Sequence, residues 1–280
     1  KFYDLACTTI NYEYYDLRER YALLVRKYLR EYVDDIPEDF HEYREDINFN
    51  DKDLQDYYVY LNFIDDYLRT KSLEYCKENN IDNKNCYNLT SLNNIRRRMK
   101  MADTLFTNAN IKYTFLNRLA AQGIIFSETT EDLDGIMNVL SEIEYQGEAL
   151  PDLKQMAFIH KSLLPGNNLG DLKLLNINKD TINLKEISSK PIITFPWSIS
   201  SQSQHRWQHA IIADLKNKYP EIDFIGLNID KGDTDLWQKT VENNNYDPAL
   251  EYKISEVTVK EDLLKNYINK LVFMDEQGNI

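Results

Sequence analysis

Between Leu164 and Gly170 the sequence reads Leu-Pro-Gly-Asn-Asn-Leu-Gly, the densest group of turn formers in the chain. The hydrophobic period differs on its two sides. Before it, apolar residues recur at helical spacing; after it, they come in short runs bounded by turn residues. A chain patterned this way is expected to fold as helices followed by a mixed sheet with its own helices. The expected class is therefore α+β multidomain, with an α-helical domain over residues 1–165 and an α/β domain over residues 166–280.

In the first half, Ile10, Tyr14, Leu17, Tyr21, Leu24 and Tyr28 alternate in steps of four and three. That spacing predicts one face of a helix ending near Asp34, and such a face is expected in the core. Ile36-Pro37 stops it. Leu54, Tyr57, Leu61, Ile64 and Leu68 predict a second helix. A third follows Asn88, with Leu92, Ile95 and Met99 on one side. Another covers Asn108 to Gln122 and ends at Gly123. Thr129 and Asp132 sit where a weak capping box would, before Leu133, Ile136 and Leu140. No internal repeat stands out.

In the second half, residues 172–177 and 181–184 flank Asn178-Lys179-Asp180 and read as a hairpin. Pro191 to Phe195 reads as a buried strand and Ser201 to Lys218 as a helix. Residues 222–229 predict a second buried strand, Asp233 to Val241 a helix, and Leu271 to Met274 a last strand.

These residues, from about Leu169 to Ile280, resemble the TlpA-like branch of the thioredoxin superfamily. The resemblance rests on the Lys190-Pro191 pair before the core strand, Trp197 just after it, Tyr219-Pro220, Leu236-Trp237 and Phe273-Met274-Asp275. It implies a thioredoxin-like fold for the second domain. Counted from Trp197, the family's Cys-x-x-Cys falls on Ser201-Gln202-Ser203-Gln204. Counted back from Asp275, its cis-proline falls on Asn269. A serine hydroxyl cannot form a mixed disulfide and a glutamine cannot resolve one. The resemblance therefore implies a degenerate redox site at Ser201, Gln204, Asn269 and Trp197, in a protein that binds rather than exchanges thiols. The alternative is a TlpA-type thiol–disulfide oxidoreductase using cysteines elsewhere. The family also implies the periplasm or outer membrane of a Bacteroidota envelope, and a protein partner in an assembly there. Family sheets continue past the Gly278 turn with an edge strand and a closing helix. About 30–50 further residues are therefore expected after Ile280, judged from ordinary element sizes.

Charge narrows the partners. Lys+Arg of 33 against Asp+Glu of 46 gives −13, a field that repels nucleic-acid backbones. No apolar run is long enough to span a bilayer as a helix. The chain starts at Lys1 rather than Met, so a processed or longer natural N-terminus is expected. Of the three cysteines, Cys76 and Cys86 close a short polar loop. They suit a disulfide or two separate thiols, and the compartment decides which. Asp4 stands where a lipoprotein cleavage site wants an apolar residue, so Cys7 is read as an ordinary thiol.

Four smaller features remain. Arg96, Arg97, Arg98 and Lys100 form the one basic cluster, either a solvated helix face or a docking patch for an acidic partner. His205 and His209 stand at i, i+4, a spacing open to metal. With no third ligand evident, they are read as a solvated polar face. Ser201 and His205 share that face, but no orienting acid accompanies them. Asp46 to Tyr57 begins like a calcium loop but lacks its Gly and its Glu, and reads as a polar connection. No cofactor and no metal are expected.

Overall fold

The computed structural model describes residues 2–81, 86–254 and 271–280. Its contacts divide the chain into two units. One comprises residues up to 127 with 131–153; the other comprises 128–130 with 154–280. The division falls inside a helix rather than at the Leu164–Gly170 turn. Leu163, just before that turn, packs into the core of the sheet.

The helical unit begins with α1 (Phe2–Tyr28), which lies against α2 (Tyr58–Glu78). Between them run two 3-10 segments, Arg30–Asp35 and Glu38–Asp46. The α-helix thus stops before Asp34, and 3-10 turns continue to that point. Then come α3 (Leu92–Leu105), α4 (Ala109–Phe126) and α5 (Thr130–Glu142), while α6 (Leu150–Lys161) is the helix in which the division falls. Ser91 caps α3 by accepting from the Asn94 amide, and Asn108 caps α4 by accepting from the Asn110 amide.

The stripe on α1 is not in the core. Ile10, Tyr14, Leu17, Tyr21, Leu24 and Tyr28 are each more than half exposed. The opposite face is the buried one, and it carries charge: Asp16 and Glu19 beside Ala22, Leu23 and Val25. Glu19 is fully buried and accepts from Arg44 through Nε and Nη2, both at 2.7 Å, and from the Tyr43 hydroxyl at 2.7 Å. Arg44 also reaches Glu74, which pairs in turn with Arg26 and Lys71. Paired charges hold this helix where apolar residues were expected, because each buried carboxylate meets a guanidinium.

The second unit is built on a six-stranded sheet ordered β2-β1-β5-β4-β3-β6. Its strands are β1 (Lys173–Leu175), β2 (Thr181–Asn183), β3 (Ile192–Trp197), β4 (Asp223–Asn228), β5 (Glu251–Ile254) and β6 (Val272–Met274). β3, β4 and β5 are parallel, with α7 (Gln202–Lys218) and α8 (Thr234–Asn243) as crossovers. β6 joins β3 antiparallel and β1 joins β5 antiparallel. On one face Ile193, Phe195 and Trp197 pack with Ile212 of α7 and with Trp237 and Val241 of α8. On the other, Ile192, Ile225, Leu227, Tyr252 and Val272 form a second cluster. The sequence reading missed β5 and placed the other strands within a residue or two.

Candidate functional site

The junction of β3 and α7 sits at the end of the parallel strands, the usual ligand side of such sheets. Ser201 is the N-cap residue of α7, although its side chain makes no capping hydrogen bond. Gln202, Ser203 and Gln204 follow in the exposed first turn. Asp230, just past β4, fastens the preceding loop. It accepts from the Ser198 hydroxyl at 2.5 Å, the Ile199 amide at 2.6 Å and the Asn228 amide group at 2.8 Å. Asn269 lies outside the described residues.

Below this loop is a polar group that sequence reasoning did not find. Trp197 is buried, and its indole N–H donates to Glu251 Oε2 at 2.8 Å. Glu251 Oε1 is 3.0 Å from His209 Nε2. His209 Nδ1 donates to the carbonyl of His205 at 2.7 Å. The Tyr246 ring stacks on the His209 ring with centroids 3.5 Å apart, and its hydroxyl lies 2.6 Å from His205 Nδ1. Burial, with His209 and Arg206 nearby, lowers the pKa of His205, while burial and Glu251 raise that of Tyr246. Beside the stack, a depression of about 430 Å³ is lined by Arg206, His209, Ala210, Asn244, Asn245 and Tyr246.

This corrects the reading of His205 and His209 as a solvated face. His205 is 1% exposed, and both rings are held by partners at least forty residues away, Tyr246 and Glu251. His205 meets Tyr246 rather than Ser201, so no nucleophile–base pair forms. No group of three or more His, Cys, Asp or Glu suited to a metal occurs among the described residues.

The other sequence candidates lie in the helical unit. Cys76 and Cys86 are joined in a disulfide, and both are buried. Cys7 is not bridged. The basic cluster does not form a patch. Arg98 is 1% exposed and donates to the Leu89 carbonyl, and burial lowers its pKa to about 10. Arg97 donates to the Ser72 carbonyl and lies over the Tyr75 ring. Arg96 donates to the Asp132 carbonyl, and Lys100 pairs with Glu142. α3 turns its arginines inward to neighbouring backbone carbonyls, which corrects Arg98 as a docking residue. In the calcium-like stretch, Asn50 Oδ1 accepts from the amides of Thr107 and Asn108, tying the loop to the start of α4. Among the described residues, no helix is long and apolar enough to cross a membrane.

The second unit has the arrangement of a thioredoxin-like domain: a mixed sheet whose central strand leads into the first long helix. Helices α1–α6 precede it. Several solved structures are similar, two of them over this C-terminal part and one over most of the chain. The thioredoxin domain of a thiol-disulfide oxidoreductase from Bacteroides vulgatus shares 18% identity, covering 42% of this chain and 86% of that one, with a TM-score of 0.35. A second, putative thiol-disulfide oxidoreductase from the same species shares 22%, covering 42% and 84%, with a TM-score of 0.35. A thioredoxin-like protein from Bacteroides caccae shares 12% over 93% of this chain and 87% of its own, with a TM-score of 0.49. No family model matches the sequence. No curated protein matches it either.

Proposed function

We propose that this chain is a redox-inactive thioredoxin-like protein that acts as a binding or scaffold subunit in a bacterial envelope complex. One observation carries the reading: residues 166–280 contain no cysteine, and Ser201 stands at the head of α7. Helix N-termini lower the pKa of a cysteine placed there and make it a nucleophile. A serine in that place has no thiolate to offer. The three cysteines of the helical unit do not supply a substitute. Cys76 and Cys86 are bonded to each other and covered, and Cys7 is not bridged and has no resolving cysteine beside it in sequence. The disulfide also suits an oxidising compartment such as the periplasm. Insulin reduction with dithiothreitol as the electron source tests the reading. The expected rate is that of dithiothreitol alone, and turnover by the chain would overturn it. Fractionation of the native cell tests the compartment: the protein is expected with the periplasm or outer membrane, and a cytoplasmic location would overturn that part.

A further inference from the structure

The exposed stripe on α1 is longer than the six residues that define it. Tyr3 and Cys7 continue the same alternation of four and three, so the seam runs from Tyr3 to Tyr28. Its mean period is about 3.5 residues, the coiled-coil spacing, sustained over the length of the helix. An isolated straight helix of 3.6 residues per turn drifts away from such a repeat. Helices that supercoil around a partner helix keep it in one line. Seven of the eight seam residues are between 53% and 76% exposed, while the helix's charged face is buried against its own unit. The seam is thus a helix-pairing surface that the unit leaves largely uncovered, with Tyr21 touching the Phe40 ring at its side.

We propose that this seam pairs antiparallel with α1 of a second copy of the chain. Two features single out a second copy and this direction. First, side-chain sizes interlock. With Tyr3 opposite Tyr28, Cys7 falls opposite Leu24, Ile10 opposite Tyr21 and Tyr14 opposite Leu17. The two central layers each set a ring against an aliphatic side chain. The end layers hold the Tyr–Tyr pairs, where the hydroxyls reach water. A parallel pair would instead stack Tyr14 on Tyr14 and Tyr21 on Tyr21 in its middle. Second, the flanking charges match. In this register Glu13 of each copy faces Arg20 of the other, a half-exposed guanidinium that also pairs with Asp16 and Asp66 of its own copy, at flanking positions that set partner and orientation in coiled coils. The covered area is sufficient. At roughly 100 Å² from each exposed seam residue on both copies, about 1,400 Å² leaves water, within the range of stable interfaces.

Sedimentation of the full chain over a concentration series is expected to show a dimer. Leu17→Asp, which changes a water-facing position of the single chain, is expected to give a monomer with unchanged far-ultraviolet circular dichroism. A wild-type chain that stays monomeric at every concentration overturns the proposal, whatever else covers the seam. A dimer that Leu17→Asp leaves intact also overturns it. Register is read by crosslinking. Positions 7 and 24 are about 25 Å apart along one helix. A disulfide between Cys7 and the thiol introduced by Leu24→Cys can therefore form only between copies. A disulfide-linked dimer of Leu24→Cys that is lost on adding Cys7→Ser is expected. A crosslink that survives Cys7→Ser, or a Cys7–Cys7 bond in the wild type, overturns the antiparallel register.

Discussion

Gly226 pairs with Glu251 across parallel strands, and the space where its side chain would be is filled by the Glu251 carboxylate. A Cβ at position 226 would lie 2.3 Å from Glu251 Oε2. The carboxylate cannot swing aside without leaving both Trp197 and His209.

Gly226→Ala is therefore expected to destabilise the protein by about 1.5–3 kcal/mol, the range for hydrogen bonds to charged groups. In a Glu251→Ala background the same change should cost much less, because the clash has gone. Urea unfolding of the four proteins of this cycle checks it. Equal costs in both backgrounds would show that Gly226 serves the backbone instead.

Glu19 and Arg44 are expected to behave as a buried pair in the helical unit. Glu19→Ala leaves the Arg44 guanidinium without its main acceptor and should cost about 3–5 kcal/mol. Glu19→Ala with Arg44→Met removes both charges and should recover much of the loss. Thermal unfolding of the two variants measures the difference. A double variant as unstable as Glu19→Ala would contradict it.

Acid stability has a definite sign for three groups of that unit. Burial, with Arg44 close by, lowers the pKa of His41 from 6.5 to about 4. The unfolded chain takes up that proton first, so the contribution is complete above 6.5 and is lost as pH falls through 4. Burial alone would raise Glu74, but Arg44, Lys71 and Arg26 outweigh it and bring its pKa from 4.5 down to about 2. Its contribution is complete above 4.5 and is lost as pH falls towards 2. Asp16 runs the other way: burial and neighbouring Asp66 raise it from 3.8 to about 6. Its contribution is present below 3.8 and is lost as pH rises through 6. Asp16→Asn is thus expected to raise the melting temperature by a few degrees at about pH 7 and hardly at about pH 4. His41→Phe should flatten the melting profile between pH 6.5 and 4. Melting curves from about pH 4 to about pH 7 decide both.

A thiol introduced at the head of α7 should be more acidic than an ordinary one, because the helix N-terminus favours the thiolate. Ser201→Cys is expected to react with iodoacetamide at about pH 7 several-fold faster than native Cys7. Ser201→Cys with Gln204→Cys is expected to show only part of the insulin-reducing activity of an ordinary thioredoxin, since the TlpA-like resemblance puts Asn269, counted back from Asp275, where a proline is expected. Equal labelling rates would count against the first expectation, and full activity against the second.

The sequence made β3, β4 and the head of α7 readable because each is fixed locally. Pro191 to Phe195 is a run of apolar and β-branched residues, and Trp197 sets the count to Ser201. What stayed hidden depends on partners far along the chain. β5 reads Glu-Tyr-Lys-Ile, which looks like a solvated edge. Yet Glu251 and Lys253 are both buried, held by Trp197 and His209 in one case and by Asn228 in the other. α1 misleads for the same reason. Its charged face found Arg44 across an intervening segment, and the apolar stripe was left outside. Periodicity identifies an apolar face, but buried ion pairs decide which face turns inward.

Alternation along β5 has one more consequence. Glu251 and Lys253 project to the α7 side of the sheet, and Tyr252 and Ile254 to the other, where they join the apolar cluster. Sliding this strand by a single residue would drive two ions into oil and leave His209 and Asn228 facing hydrocarbon. Misalignment is therefore far more costly here than in a strand of uniform apolar residues, which could pair almost as well one step out of place. The two charges thus single out one alignment of this strand in the folded sheet.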